Sequence, residues 1–83
     1  MKIDYVENGD HFVRNDGWAK DVYNEITEEC YEVLCQMTYG EVSKIIEDNL
    51  SDAEKWGYGF YGHDLWEKDG KYYLGKKIGS SCD

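Results

Sequence analysis

The apolar positions of the chain change period twice. In "KIDYVENGDHFVR" (residues 2–14), Ile3 and Tyr5 alternate with polar residues, and Phe12 and Val13 follow the pair Asn8-Gly9. Both central positions of a type I′ turn need positive φ, and Asn-Gly suits them, so this stretch predicts an N-terminal β-hairpin. From there the spacing becomes helical. Ala19, Val22, Tyr23, Ile26, Cys30, Val33, Leu34 and Met37 recur every three or four residues. They predict one amphipathic helix from near Trp18 to about Met37, capped by Asn15 or Asp16. Thr38 and Glu41 then form a capping-box pattern ahead of Val42, Ile45, Ile46 and Leu50, which predicts a second helix. Ser51 and Glu54 repeat that pattern and predict a short third turn ending at Gly57.

The last third returns to strand character. "YGFYGHDLWEKDGKYYLGKKI" (residues 58–78) carries Asp69-Gly70 as its turn. Pairing around that turn sets Trp66 opposite Tyr73 and Leu65 opposite Leu74, contacts that favour one register over its neighbours. The tail "GSSCD" has nothing to hold it and is expected to fray. The expectation is therefore a single α+β domain over residues 1–83: a small antiparallel sheet, built from an N-terminal and a C-terminal β-hairpin, packed against two or three central helices. A helix-plus-wing arrangement would need a basic recognition helix, and "SDAEKWG" is short and net acidic.

Composition sharpens this picture. Hydrophobic residues make up 41% and aromatics 16% of 83 residues, enough apolar surface for a modest core in a chain of this size. Proline is absent, so no polyproline linker is present. The net charge is −9, and it is unevenly spread. Residues 1–54 hold fourteen acids against four bases, and residues 55–83 hold four against five. Such a balance argues against direct contact with nucleic acid or anionic lipid, and it permits binding to a basic surface on another protein.

The acids have a pattern. On a helix from Trp18 to Met37, Asp21, Glu25, Glu28, Glu29 and Glu32 all fall within about 100° of arc, opposite the apolar stripe. Asp21–Glu25, Glu25–Glu29 and Glu28–Glu32 are then like-charged neighbours one turn apart, each costing a few tenths of a kcal/mol, with only Lys20 nearby. Glu47 and Asp48 extend the patch if the second helix ends close by, with Asp52 and Glu54 beyond them. Carboxylates repeated roughly every 6 Å along an axis resemble the anions of a nucleic-acid backbone.

The expected function is a small acidic binding protein that inhibits a nucleic-acid-handling enzyme, such as a CRISPR nuclease, by occupying its basic cleft. Small phage or mobile-element proteins that disarm CRISPR nucleases or restriction enzymes share this size and charge, which is an analogy of properties only. The plain alternative for the stripe is a solvated polar face. The competing functional expectation is a structural or regulatory module, with a homodimer as one form of it, that makes contact through the aromatic C-terminal hairpin with Trp66 and Tyr73 as anchors.

Other candidate chemistry is thin. Gly57-x-Gly59-x-x-Gly62 matches a dinucleotide-binding string, but a helix is expected before it and a hairpin after it, the reverse of what phosphate binding needs. Glycines fitting between bulky aromatics explain it better. Cys30 and Cys35 lie about 140° apart on a helix and cannot share a metal there. A zinc site would need Cys82 and one of His11 and His63 to join one of them, so no metal is expected, and no cofactor. Cys30 reads as a small buried hydrophobe. A Cys35–His63 catalytic pair has no support in spacing, and calcium-loop patterns are absent, so the chain is expected not to be an enzyme. Three cysteines, no apolar run behind "MKIDYVENGD" and no membrane-length segment fit a cytoplasmic protein with reduced thiols, here of a bacterial host cell.

Overall fold

A computed structural model of the chain describes residues 2–16, 19–50 and 60–79. Their elements are β1 (His11–Asp16), β2 (Ala19–Ile26), α1 (Glu28–Cys35), α2 (Tyr39–Asp48), β3 (Phe60–Lys68) and β4 (Lys71–Gly79). The strands form one antiparallel sheet in the order β1-β2-β4-β3, and the protein is α+β. The turn expected over residues 51–57 and the tail at 80–83, with Cys82, lie outside the described residues. Among the described residues, no helix is long and apolar enough to cross a membrane.

The C-terminal hairpin forms in the expected register, with Trp66 opposite Tyr73 and Leu65 opposite Leu74. Asp69 and Gly70 both adopt positive φ, 52° and 79°, as a type I′ turn requires. The capping box also forms. Thr38 Oγ1 accepts from the Glu41 N–H at 3.2 Å, and Glu41 Oε1 accepts from the Thr38 N–H at 2.9 Å.

The long first helix does not form. Residues 19–26 are a central strand, paired with β1 on one side and β4 on the other, and the helix begins only at Glu28. Ile26, Cys30 and Leu34 are all buried at a spacing of four, so the sequence carries an unbroken helical signal across the junction. The break is Thr27, whose hydroxyl accepts from the Cys30 N–H at 3.2 Å and caps α1. Upstream of it, Val22, Tyr23, Asn24 and Ile26 are indifferent helix formers, and ladder bonds on both edges outweigh that weak preference.

The N-terminal hairpin also differs. Tyr5 bridges Ile26 antiparallel, the Val6 N–H donates to the Glu25 carbonyl at 3.0 Å, and the Glu25 N–H donates to the Asp10 carbonyl at 2.9 Å. Residues before and after Asn8-Gly9 therefore both pair with β2 and run in the same direction. The turn is centred on Glu7-Asn8, closed by the Gly9 N–H on the Val6 carbonyl at 3.0 Å, with Asn8 at φ 58°. Only one central residue takes positive φ, so the segment is a bulge in an edge strand rather than a reversal. The first hairpin is instead β1–β2, from His11↔Asn24 to Asp16↔Ala19.

Strand alternation gives the sheet two faces. Ile26 and Leu74 point to one of them, where they pack with Cys30 and Leu34 of α1, Val42 and Ile46 of α2, and Ile3. Leu65, Tyr72 and Phe60 flank this core, so both helices cover the same face. Burying these side chains is the main driving force of the fold, at roughly 1.5–3 kcal/mol for each large one.

Candidate interaction surfaces

The seven acids singled out in the sequence do not share one surface. Asp21 and Glu25 lie on β2 and point, with Tyr23, to the face opposite the helices. Both have structural partners there. Asp21 forms an ion pair with Lys77 at 3.4 Å, and Glu25 Oε1 accepts from the Asp10 N–H at 3.0 Å, tying down the bulged loop. The five-residue stripe is thus corrected to three: Glu28, Glu29 and Glu32, exposed on α1 within about 100° of arc. Glu47 and Asp48 are exposed in the last turn of α2. Asp52 and Glu54 lie outside the described residues.

The helical side remains strongly acidic. The two helices carry six acids and one base, Lys44. Glu28, Glu29 and Glu41 occupy first turns, where the helix dipole favours negative charge. Glu47 and Asp48 sit at the opposite end of α2, where the dipole disfavours it, and neither helix has a base in its last turn. One further acid belongs here. Burial, followed by the charges of Glu28, Glu67 and Glu32, pushes the Tyr72 hydroxyl up, so these carboxylates converge around Tyr72, whose ring lies 4.7 Å from that of Tyr31. Glu67 is directly opposite Tyr72 in the sheet, a neighbour that only the strand register reveals.

The helix-free face is different in kind. Phe12, Tyr23, Trp66 and Tyr73 come together there, one from each strand. Phe12 stacks on Tyr23 at 4.9 Å, and Trp66 lies 5.4 Å from Tyr73 and 5.9 Å from Phe12. The two expected anchors are therefore neighbours, and they differ in access: Trp66 is 37% exposed and Tyr73 is 5%. Tyr23 lies flat over Gly75, where a Cβ would come 2.5 Å from a ring carbon.

Charge on this face is balanced. Its described side chains include Asp10, Asp21, Glu25 and Asp64 against Arg14, Lys68, Lys71 and Lys77. Asp10 Oδ2 accepts from Lys71 Nζ at 3.0 Å and from the Tyr73 hydroxyl at 2.9 Å. These hydrogen bonds, with the charge of Lys71, hold the Asp10 carboxyl below its usual value. Lys68 Nζ stands 5.7 Å from the Trp66 ring.

At the edge of the sheet, α2 reaches over β3. The Tyr39 ring stacks on His63 at 4.2 Å, and its hydroxyl accepts from the His63 N–H at 3.4 Å. His63 Nδ1 and Ser43 Oγ are hydrogen-bonded at 3.2 Å. Burial holds His63 below its usual pKa against the pull of Asp64, which favours the uncharged ring. Its partners are Ser43 and Tyr39, and the pairing with Cys35 considered from the sequence is not made. Tyr39 carried no signal beyond its place after a helix cap. Gly62 lies inside β3 and is followed by β4, so its part of the glycine string serves a strand and not a phosphate. Gly57 and Gly59 lie outside the described residues. Cys30 is buried and Cys35 is exposed, and among the described residues no three His, Cys, Asp or Glu side chains cluster as a metal site.

No protein-family model matches the chain, and comparisons with curated proteins and with solved structures give no significant match.

Proposed function

We propose that the protein is a non-catalytic binding protein whose acidic helical side occupies a basic cleft on a nucleic-acid-handling enzyme, in the manner of an anti-CRISPR or anti-restriction inhibitor from a phage or mobile element. The observation that carries this reading is the segregation of charge. The helices present six acids against one base, two of the acids against the α2 dipole, while the described charged side chains of the helix-free face include four of each sign. Stability alone would favour a lysine or arginine in those last turns. A surface that gives up this gain and keeps uncompensated carboxylates suits steering toward, and contact with, a basic groove. The test is capture of purified CRISPR or restriction nucleases at low and high salt, with and without competing DNA. Binding that salt and DNA both weaken supports the reading; binding indifferent to both removes it.

A second reading is favoured by the aromatic cluster. A module that docks through Trp66 and its neighbours, with a second copy as partner, would use the one described face where two chains of charge −9 meet without net repulsion. It predicts association that Trp66→Ala abolishes and that salt barely changes, measured by sedimentation.

A further inference from the structure

We propose that the cleft at the bulged end of β3 is a binding site for a guanidinium group, the head of an arginine side chain. The cleft encloses about 340 Å³ and is lined by Tyr23, Tyr39, Tyr61, Asp21, Asp64 and Lys77.

Its shape follows from three local features. First, the ladder between β3 and β4 shifts between Phe60 and Gly62, so Tyr61 is an extra residue in the strand. Bulges of this kind re-aim a side chain at a sheet edge. Second, Gly62 leaves room for Tyr39, since a Cβ there would come 3.1 Å from the Tyr39 hydroxyl. Third, Gly75 leaves room for Tyr23 to lie on the sheet. Two glycines thus let two tyrosines close toward the edge, and the bulge brings a third.

The electrostatics favour a cation. Lys77 pairs with Asp21. Asp64 makes no hydrogen bond or ion pair among the described residues, so its carboxylate is the group available to a guest. Behind burial, Asp64 and then Asp21 are the main causes that push the Tyr23 hydroxyl up, ahead of the opposing Arg14 and Lys77. The field at the tyrosine walls is therefore negative on balance. Burial lowers the pKa of His63, which disfavours a competing positive charge beside the cleft. Tyrosine rings beside a carboxylate match a planar guanidinium better than an ammonium, because it stacks on rings and donates two parallel hydrogen bonds to one carboxylate.

This site deepens the reading of a basic partner, which would supply the arginine, but the site itself is tested without any partner. The capped tripeptide Gly-Arg-Gly is titrated into the isotope-labelled full chain at low ionic strength, alongside the same peptide with citrulline, its neutral isostere. Saturable shifts at Tyr23, Tyr39, Gly62, His63 and Asp64 are expected with arginine, and roughly tenfold weaker binding with citrulline. Asp64→Asn, on an exposed strand position where the fold tolerates it, is expected to lower arginine binding to the citrulline level. Equal binding of the two peptides, shifts centred on α1 instead, or an unchanged Asp64→Asn variant would overturn the assignment. Glu28→Lys/Glu29→Lys/Glu32→Lys is expected to keep the arginine response even where it loses an enzyme partner, so the two proposals fail separately.

Discussion

The two faces of this sheet divide the work between them. One carries the apolar core and the two helices, which hold six acids and one base between them. The other carries four clustered rings and a balanced set of acids and bases, several of them paired with each other. Adjacent residues of one strand belong to different regimes: Leu74 is 1% exposed among the helices, and Tyr73 is 5% exposed among the rings. Among the described residues, negative charge is thus concentrated on the helices, while the strands of the helix-free face bring acids and bases together in cross-strand register.

Breaking the core side should have the largest effect. Leu74→Ala is expected to cost about 3 kcal/mol, a large share of the stability of a domain of this size, as read by chemical denaturation. On the other face, Gly75→Ala should cost about 1–3 kcal/mol, because the new methyl group meets the Tyr23 ring and its strand backbone cannot yield. The same variant should disturb the stacking of Phe12 on Tyr23, visible as ring-proton shifts, without changing the helical signal.

A pH experiment sharpens the contrast. The Asp10 carboxyl is lowered by its bonds to Lys71 and Tyr73, so its contribution to stability is present above the unfolded carboxylate value and is lost as pH falls through the lower folded value. Asp10→Asn should therefore be less stable than the parent at neutral pH, and the difference should close as pH falls through the lowered folded value. A difference that persists in acid would mean that Asp10 acts through packing and not through charge. The smallest effect is expected at the end of α2. Glu47→Gln removes a carboxylate from the negative end of the dipole and should stabilise the protein by about 0.3 kcal/mol while weakening any basic partner.

The sequence was most legible where one local signal had no rival. Asp69-Gly70 sets the C-terminal hairpin by turn geometry alone, which is why Trp66 and Tyr73, and Leu65 and Leu74, face each other as expected. Thr38 and Glu41 mark their helix through two reciprocal hydrogen bonds that need no tertiary context. Legibility failed where two periods coincide. Ile26 ends a strand, Cys30 and Leu34 belong to a helix, and their common spacing of four hides the change at Thr27. That one misplacement moved Asp21 and Glu25 to the wrong surface, because acids one helical turn apart and acids on one strand face share spacings of four. The Asn8-Gly9 signal failed for another reason: β2 offers pairing to the residues on both sides of it, and a bulge satisfies both. Tyr39 and Glu67 gain their significance only from the register and from the reach of α2 across β3.

The most direct test of charge segregation as the basis of binding is a paired comparison in one capture assay. Glu28→Lys/Glu29→Lys/Glu32→Lys alters the helical side, and Trp66→Ala alters the helix-free face. Both are measured for binding to the same nuclease at low salt, with folding checked by circular dichroism. Loss of capture in the triple variant, with Trp66→Ala binding as the parent does, is the predicted result. Normal capture by the triple variant, or its loss in Trp66→Ala alone, would contradict the account and move the contact surface to the rings.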